Sequence, residues 1–393
     1  MRAGGCATPS PRSPTHIRSL VARCLCDGGR SAARELTSAT LWERAACLAC
    51  EAGVGGVLDQ ALRRQRIDIP DGTSAILTAY RQHLAARNAY QVRRAGRVLG
   101  AVIDAGIPFL LLKGAALNAT LYEKQDLRGM SDIDVLILPD DVERIDRTLR
   151  STGCDRGPDP VRRDFFPRFY YEREYLTGDR PPVRLDVHVR PFRPLYYAQT
   201  VPPDGLWDKH QTITFGGRQV TVPDRENMLI HLCVHAACHG LSHLRWSYDI
   251  KKYVDVHGDH INWDEIERTA RRWRLTYPVR LALEHVAEIF ESDDPILRRA
   301  IARMRDRPDF RDRLAIKQAP RDATHSFSHV VTDLICLRGI RPRLSYLSGV
   351  TFPAKAHMGQ WYRRRHPGWL PIAHLTRVIK GLVRVLVPRP SEP

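Results

Sequence analysis

The sequence lacks any stretch of about eighteen apolar residues, so no helix of it is expected to span a membrane. It also lacks a run of five or more consecutive basic residues, and with it the kind of basic tail that grips nucleic acid. Its nine cysteines show no regular spacing, which argues against a disulfide framework. The one CxxC, Cys47 and Cys50 in CLAC, has no matching pair to complete a zinc site. A reducing, cytoplasmic setting fits these absences. The opening MRAGGCATPSPRSPTH holds a Gly-Gly-Cys that would suit lipidation, but no apolar segment precedes it, so residues 1–16 read as a disordered leader.

What is present describes a folded protein. A chain of 393 residues with 43% hydrophobic and 27% charged residues can bury a sizeable core and divide into two or three domains. The net charge of +17 would attract anions, phosphates or nucleic acid. The basic residues are almost all arginine and are scattered, so a nucleic-acid partner is possible but not favoured.

Residues 17–106 carry helical periodicity, interrupted at Pro70 and resumed in a long amphipathic run over 74–105 that stops at Gly106. The pattern then changes. IPFLLLKG is a short apolar run closed by glycine, AALNATLYEK a helix, DIDVLIL a strand and DVERIDRTLRSTG a helix, followed by strand-like RFYYEREYL and PVRLDVHVR. ITFGGRQVTV is a hairpin, with Gly216 and Gly217 supplying the left-handed turn. Helical patterning returns over 223–300, and the arginine-rich 301–393 are less regular. Their final HLTRVIKGLVRVLV fits a packed terminal helix better than a membrane-surface one. The expected fold class is α/β (α+β): a small mixed-sheet core at 107–222 between N-terminal and C-terminal helical regions.

The chemistry centres on LRGMSDIDVLIL. Residues two apart in a strand share a face, so Asp132 and Asp134 project together and repel unless a cation lies between them. Magnesium takes oxygen ligands, commonly one or two carboxylates plus substrate phosphates, and suits such a pair. Alone, the two acids fit a solvated strand end better than a metal site. Three neighbours add weight. Lys113 and Gly114 lie at a strand-to-helix turn where backbone amides can hold phosphate. Arg128 and Ser131 offer a guanidinium and a hydroxyl to an anion. Asp186, between Leu185 and Val187, needs a partner or a metal to justify its place.

This ordered set resembles the nucleotidyltransferase superfamily that includes DNA polymerase beta. LLLKGAALNATLY, LRGMSDIDVLI, RLDVHVR and MLIHLCVHAACHGLSHLRWSYDI are similar to the successive blocks of a bacterial family known only as uncharacterised nucleotidyltransferases, over roughly residues 41–300. The resemblance implies magnesium-dependent (or manganese-dependent) transfer of an NMP from a nucleoside triphosphate to an unknown acceptor, with release of pyrophosphate. Asp132, Asp134 and Asp186 would hold the metal ions, and Lys113, Gly114, Arg128 and Ser131 the nucleotide. The superfamily's first turn usually reads glycine then serine, whereas this chain has Lys113, Gly114 and Ala115. Lys113 would replace the serine as a point charge on the triphosphate, or else pair with one of the acids. The alternatives are a non-catalytic nucleotide- or protein-binding module of the same fold, and an RNA-modifying enzyme.

His231, His235, His239 and His243 recur every four residues and would stack along one helix face. Without a glutamate in an HExxH arrangement, a face that packs on the core or lines its cleft fits better than zinc. Arg245, Trp246 and Asp249 would continue the same helix, either toward nucleotide or acceptor with Trp246 stacking on a base, or as a core tryptophan beside a surface ion pair; His188 shares a strand face with Asp186 and either nears the metals or bonds to backbone. His188, His235, Arg245 and Asp249 are thus possible cleft residues.

Overall fold

The computed structural model describes residues 13–26, 29–157, 165–318 and 327–353. Strands β1 (Leu110–Leu111), β2 (Ile133–Leu136), β3 (Asp155–Arg156), β4 (Glu172–Leu176), β5 (Arg184–His188), β6 (His210–Phe215) and β7 (Arg218–Pro223) form one sheet in the order β3-β4-β5-β2-β1-β7-β6. Pairing is parallel between β2 and β5 and between β1 and β7, and antiparallel elsewhere, so the sheet is mixed. Its central strands are short and buried on both faces, as the continuous apolar runs LLL and IDVLIL require. The hairpin turns at Gly216 and Gly217, with φ of 58° and 80°. A Cβ on Gly216 would press into the backbone of Gly96.

Among the described residues five helices precede the sheet: α1 (Pro14–Cys24), α2 (Arg30–Glu35), α3 (Ala39–Glu51), α4 (Gly55–Arg64) and α5 (Asp71–Asp104). The long α5 starts just after Pro70 and ends before Gly106, whose φ of 63° stops it, as the sequence suggests. Within the sheet region lie α6 (Lys113–Thr120), α7 (Val142–Ser151), α8 (Phe166–Phe169) and α9 (Leu195–Thr200). After it come α10 (Arg225–Cys238), α11 (Leu244–His257), α12 (Trp263–Arg272), α13 (Thr276–Ile289), α14 (Pro295–Arg303), α15 (Phe310–Gln318), α16 (Phe327–Cys336) and α17 (Ile340–Thr351). One continuous buried apolar cluster joins all three regions, from Ile17 in α1 through Leu110 and Val135 to Leu283 in α13. A smaller one, Phe165, Leu195, Leu337 and Tyr346, fastens α16 and α17 to the α8–α9 side.

Three local expectations change. RFYYEREYL is strand only from Glu172, because Phe166–Phe169 turns into a short helix that delivers Phe166 to the core. The histidine run is two helices. Gly240 and Leu241 take positive φ of 70° and 55°, and the Leu241 amide donates to the Ala236 carbonyl at 3.0 Å, a glycine-type helix stop. His243 therefore sits at the N-cap of α11 rather than on the face carrying His231 and His235. Of the expected leader, residues 1–12 lie outside the described residues, and α1 already begins at Pro14. HLTRVIKGLVRVLV also lies outside them. No helix among the described residues is long and apolar enough to cross a membrane.

Candidate active site

Strand β1 runs into α6 through a sharp turn in which Leu112 is extended and Lys113 takes a φ of 47°. Left-handed backbone at a residue with a side chain costs roughly 1–3 kcal/mol and persists where neighbours fix it. Here the fixing contacts are visible: the Leu112 amide donates to the Asp134 carbonyl at 3.0 Å, and the Lys113 ammonium donates to Asp134 Oδ1 at 2.8 Å. Gly114 must be glycine, because a Cβ would strike the Arg128 guanidinium.

The loop before β2 is held from behind by Asn88 of α5. Its amide donates to the carbonyls of Gln125 (2.6 Å) and Arg128 (2.7 Å), and its oxygen accepts from the Met130 amide at 3.2 Å. Arg128 is fixed in turn. It donates from Nε and Nη2 to both oxygens of Asp249 at 2.8–3.1 Å, with the Tyr122 hydroxyl donating to the same carboxylate at 2.7 Å. Both members are buried, so this fork staples α11 to the SDID loop.

Parallel pairing of β2 with β5 sets Asp134 in direct register with Asp186, and antiparallel pairing of β4 sets Glu174 beside Asp186 and Glu172 beside His188. The acids therefore form a row across three strands, and the cations are interleaved with them. Burial alone would lift the Asp134 carboxyl, but the Lys113 charge and the His188 hydrogen bond, Nε2 to Oδ1 at 2.8 Å, outweigh it and hold Asp134 well below the usual carboxylate range. Asp186 goes the other way. Burial, aided by the Glu172 and Asp134 charges, pushes it up to about 6 against the pull of Arg184. Arg184 Nη2 lies 2.6 Å from Asp186 Oδ2 and 3.5 Å from Asp132 Oδ2, and its Nε lies 3.3 Å from Glu174. The Ser131 hydroxyl donates to Asp132 at 3.0 Å.

A cleft of about 240 Å³ opens over this row. Of the residues expected from sequence, Lys113, Gly114, Arg128, Ser131, Asp132, Asp134, Asp186, His235 and Arg245 line it. His188 lies beneath it on Asp134 and Asp249 behind it on Arg128. A larger hollow of about 670 Å³, between α5 and the β6–β7 turn, contains none of them. The roof comes from α10 and α11. His235 and His239 pack edge-on against Trp246, with ring centroids 4.7 and 5.0 Å away. His231, fully buried, stacks on Phe192 and, among the described residues, finds no hydrogen-bond partner for either ring nitrogen; burial pushes it down to about 3. These imidazoles are a packed roof. Among the described residues, no three His, Cys, Asp or Glu side chains form a ready-made metal site.

The donor set nonetheless fits a hard divalent ion. Three aspartates of one cleft wall offer oxygen ligands of the kind magnesium prefers. The cation seated among them, Arg184, has a side chain 45% exposed, so it meets the acids from the solvent side.

Residues 38–291 match the model of a family described as uncharacterised nucleotidyltransferase. The chain belongs to this family. Every site residue above falls within the family-matched span, which agrees closely with the 41–300 suggested by the motif blocks. No curated protein matches the sequence. Among solved structures, an antigenic nucleotidyltransferase-like protein from Paracoccidioides brasiliensis aligns over 55% of this chain and 94% of its own at 13% identity. Its TM-score of 0.34 is too low to bear on fold or site.

The cleft is also lined by side chains that the sequence reading passed over: Tyr171, Glu172, Arg184 and Arg193. Arg184 carried a usable signal, since it stands two residues before Asp186 and shares its strand face. Asn88 carried none, being one more polar residue on a long helix.

Proposed function

We propose that this chain transfers an NMP from a nucleoside triphosphate to an acceptor that is a small molecule, a peptide or a protein, releasing pyrophosphate, with the chemistry of the DNA polymerase beta-like superfamily. One observation carries the reading: Asp134 and Asp186 stand in register on adjacent parallel strands, with Asp132 and Lys113 in the same cleft. Family membership supports it.

In this reading Asp132, Asp134 and Asp186 hold magnesium or manganese, which when bound neutralises charge developing on the triphosphate. Lys113, Ser131 and Arg245 line the same hollow and bind phosphate oxygens. Arg128, engaged by Asp249, keeps the loop in place while its remaining edge faces the cleft. Trp246 offers a face on which a base can stack. The transfer forms one bond, from an acceptor oxygen to the α-phosphorus, and breaks one, from the α-phosphorus to the bridging oxygen, whose electron pair leaves with pyrophosphate. The proton of a hydroxyl acceptor passes to Asp186. The test is incubation with each labelled triphosphate, magnesium and a host-cell extract, followed by fractionation. Label should enter one fraction with the wild type and none with Asp132→Ala; equal uptake by that variant would sink the assignment.

A further inference from the structure

Past the acid row, Tyr171 and Arg193 line the cleft and also a second hollow of about 90 Å³. The two spaces therefore meet at these residues. The walls of the second are largely apolar or aromatic: Phe169, Leu195 and Tyr196 on one side, Cys336 and Tyr346 of α16 and α17 on the other. One carboxylate lies within it, Asp333, whose Oδ2 accepts from the Tyr346 hydroxyl at 2.6 Å and which burial pushes up to about 6. Arg193 stands apart from the other cleft cations. Lys113, Arg128 and Arg184 each rest on a carboxylate and Arg245 on the Gly129 carbonyl, whereas the Arg193 guanidinium forms no hydrogen bond or ion pair among the described residues. A half-buried guanidinium at the mouth of an apolar hollow, in direct contact with no carboxylate among the described residues and felt only at longer range by Asp333, is suited to an anionic oxygen group.

Size decides which substrate that is. The hollow is smaller than the ~150 Å³ apolar cavity that admits benzene, so it takes a short aliphatic group and not a nucleobase. The wider cleft beside Trp246 is left for the nucleotide. The family-matched span ends at residue 291, so Arg193 belongs to the shared part while α16 and α17 lie beyond it. A wall supplied from outside the shared part is the expected place for a feature particular to this chain.

We infer that this hollow seats the acceptor, a small molecule with a compact apolar body among Phe169, Leu195 and Tyr346 and a carboxylate or phosphate head on Arg193. The inference rests on the transfer reading above and names its substrate class. The reacting oxygen then sits at the Tyr171–Arg193 passage, facing the acid row.

The test uses isovalerate as the probe, titrated against the full chain, with binding of the tightest-bound magnesium nucleoside triphosphate measured on the same samples. Arg193→Gln removes the head-group partner, and Thr332→Phe, from the hollow's lining, fills the space. Wild type should bind isovalerate saturably, and each variant should weaken that binding at least about tenfold, while nucleotide affinity in Thr332→Phe, which lies outside the cleft, stays within about twofold. Arg193→Lys should restore part of it. Absence of saturable binding to wild type, or binding unchanged in Arg193→Gln, overturns the inference. So does an equal loss of nucleotide affinity in Thr332→Phe, which would make the hollow part of the nucleotide site. If isovalerate binds as expected but no label is ever transferred to any acceptor, the anion site stands and the transfer reading falls.

Discussion

Replacing Asp134 with alanine strands two groups at once, the Lys113 ammonium and the His188 ring nitrogen, both of which meet Asp134 Oδ1 at 2.8 Å in a buried setting. Removing one partner of a buried ion pair costs roughly 3–5 kcal/mol, because the other charge is left without compensation. Asp132, with a side chain 26% exposed and its ion pair to Arg184 at 3.5 Å, should cost no more than about 1 kcal/mol on the same change. The two aspartates, neighbours in sequence and alike in proposed role, should therefore separate cleanly in stability. Urea unfolding followed by tryptophan fluorescence would measure it. The double variant Lys113→Met, Asp134→Ala should lose less than the sum of its parts by about 1–3 kcal/mol, since the stranded ammonium is gone. An Asp134→Ala protein within about 1 kcal/mol of wild type, or strict additivity in the double variant, would refute the reasoning.

Arg184→Gln removes the cation seated among the acids and should tighten manganese binding about tenfold, read by the free-ion electron paramagnetic resonance signal without any turnover; unchanged affinity would count against Arg184 as a competitor. Burial depresses His231 from 6.5 to about 3, so the unfolded chain protonates first as pH falls. Its contribution is complete above pH 6.5 and is lost progressively between 6.5 and about 3. His231→Phe should flatten the pH dependence of the unfolding midpoint in that window, and an undiminished slope would contradict this. Gly114→Ala drives a methyl group into a guanidinium that Asp249 holds still, and should destabilise by about 1–3 kcal/mol; a neutral result would mean the turn has slack.

The sequence made the strand-to-helix turn, the hairpin and the acid row legible for one reason: each is set by local period or by glycine. The alternation in VRLDVHV aims Asp186 and His188 to one face whatever lies beyond, and Gly216-Gly217 can only turn. What stayed hidden depends on contacts distant in the chain. Nothing near Arg128 announces that its carboxylate partner is 121 residues away, or that Asn88 on α5 braces the loop carrying the aspartates. The histidine string misled for the opposite reason. Its four-residue spacing is a true helical period as far as His239, but Gly240 ends the helix and turns Trp246 back onto the rings. Lys113 was open between phosphate and acid, and in this structure it rests on Asp134.

The most direct test of the central claim is a comparison of α-labelled with γ-labelled nucleoside triphosphate, each incubated with the protein, magnesium and an extract containing acceptors. NMP transfer predicts that acceptor label arises from the α-phosphate alone, with pyrophosphate released in equal amount and both signals absent in Asp132→Ala. Label from the γ-phosphate, or α-label incorporation that survives in Asp132→Ala, would contradict it.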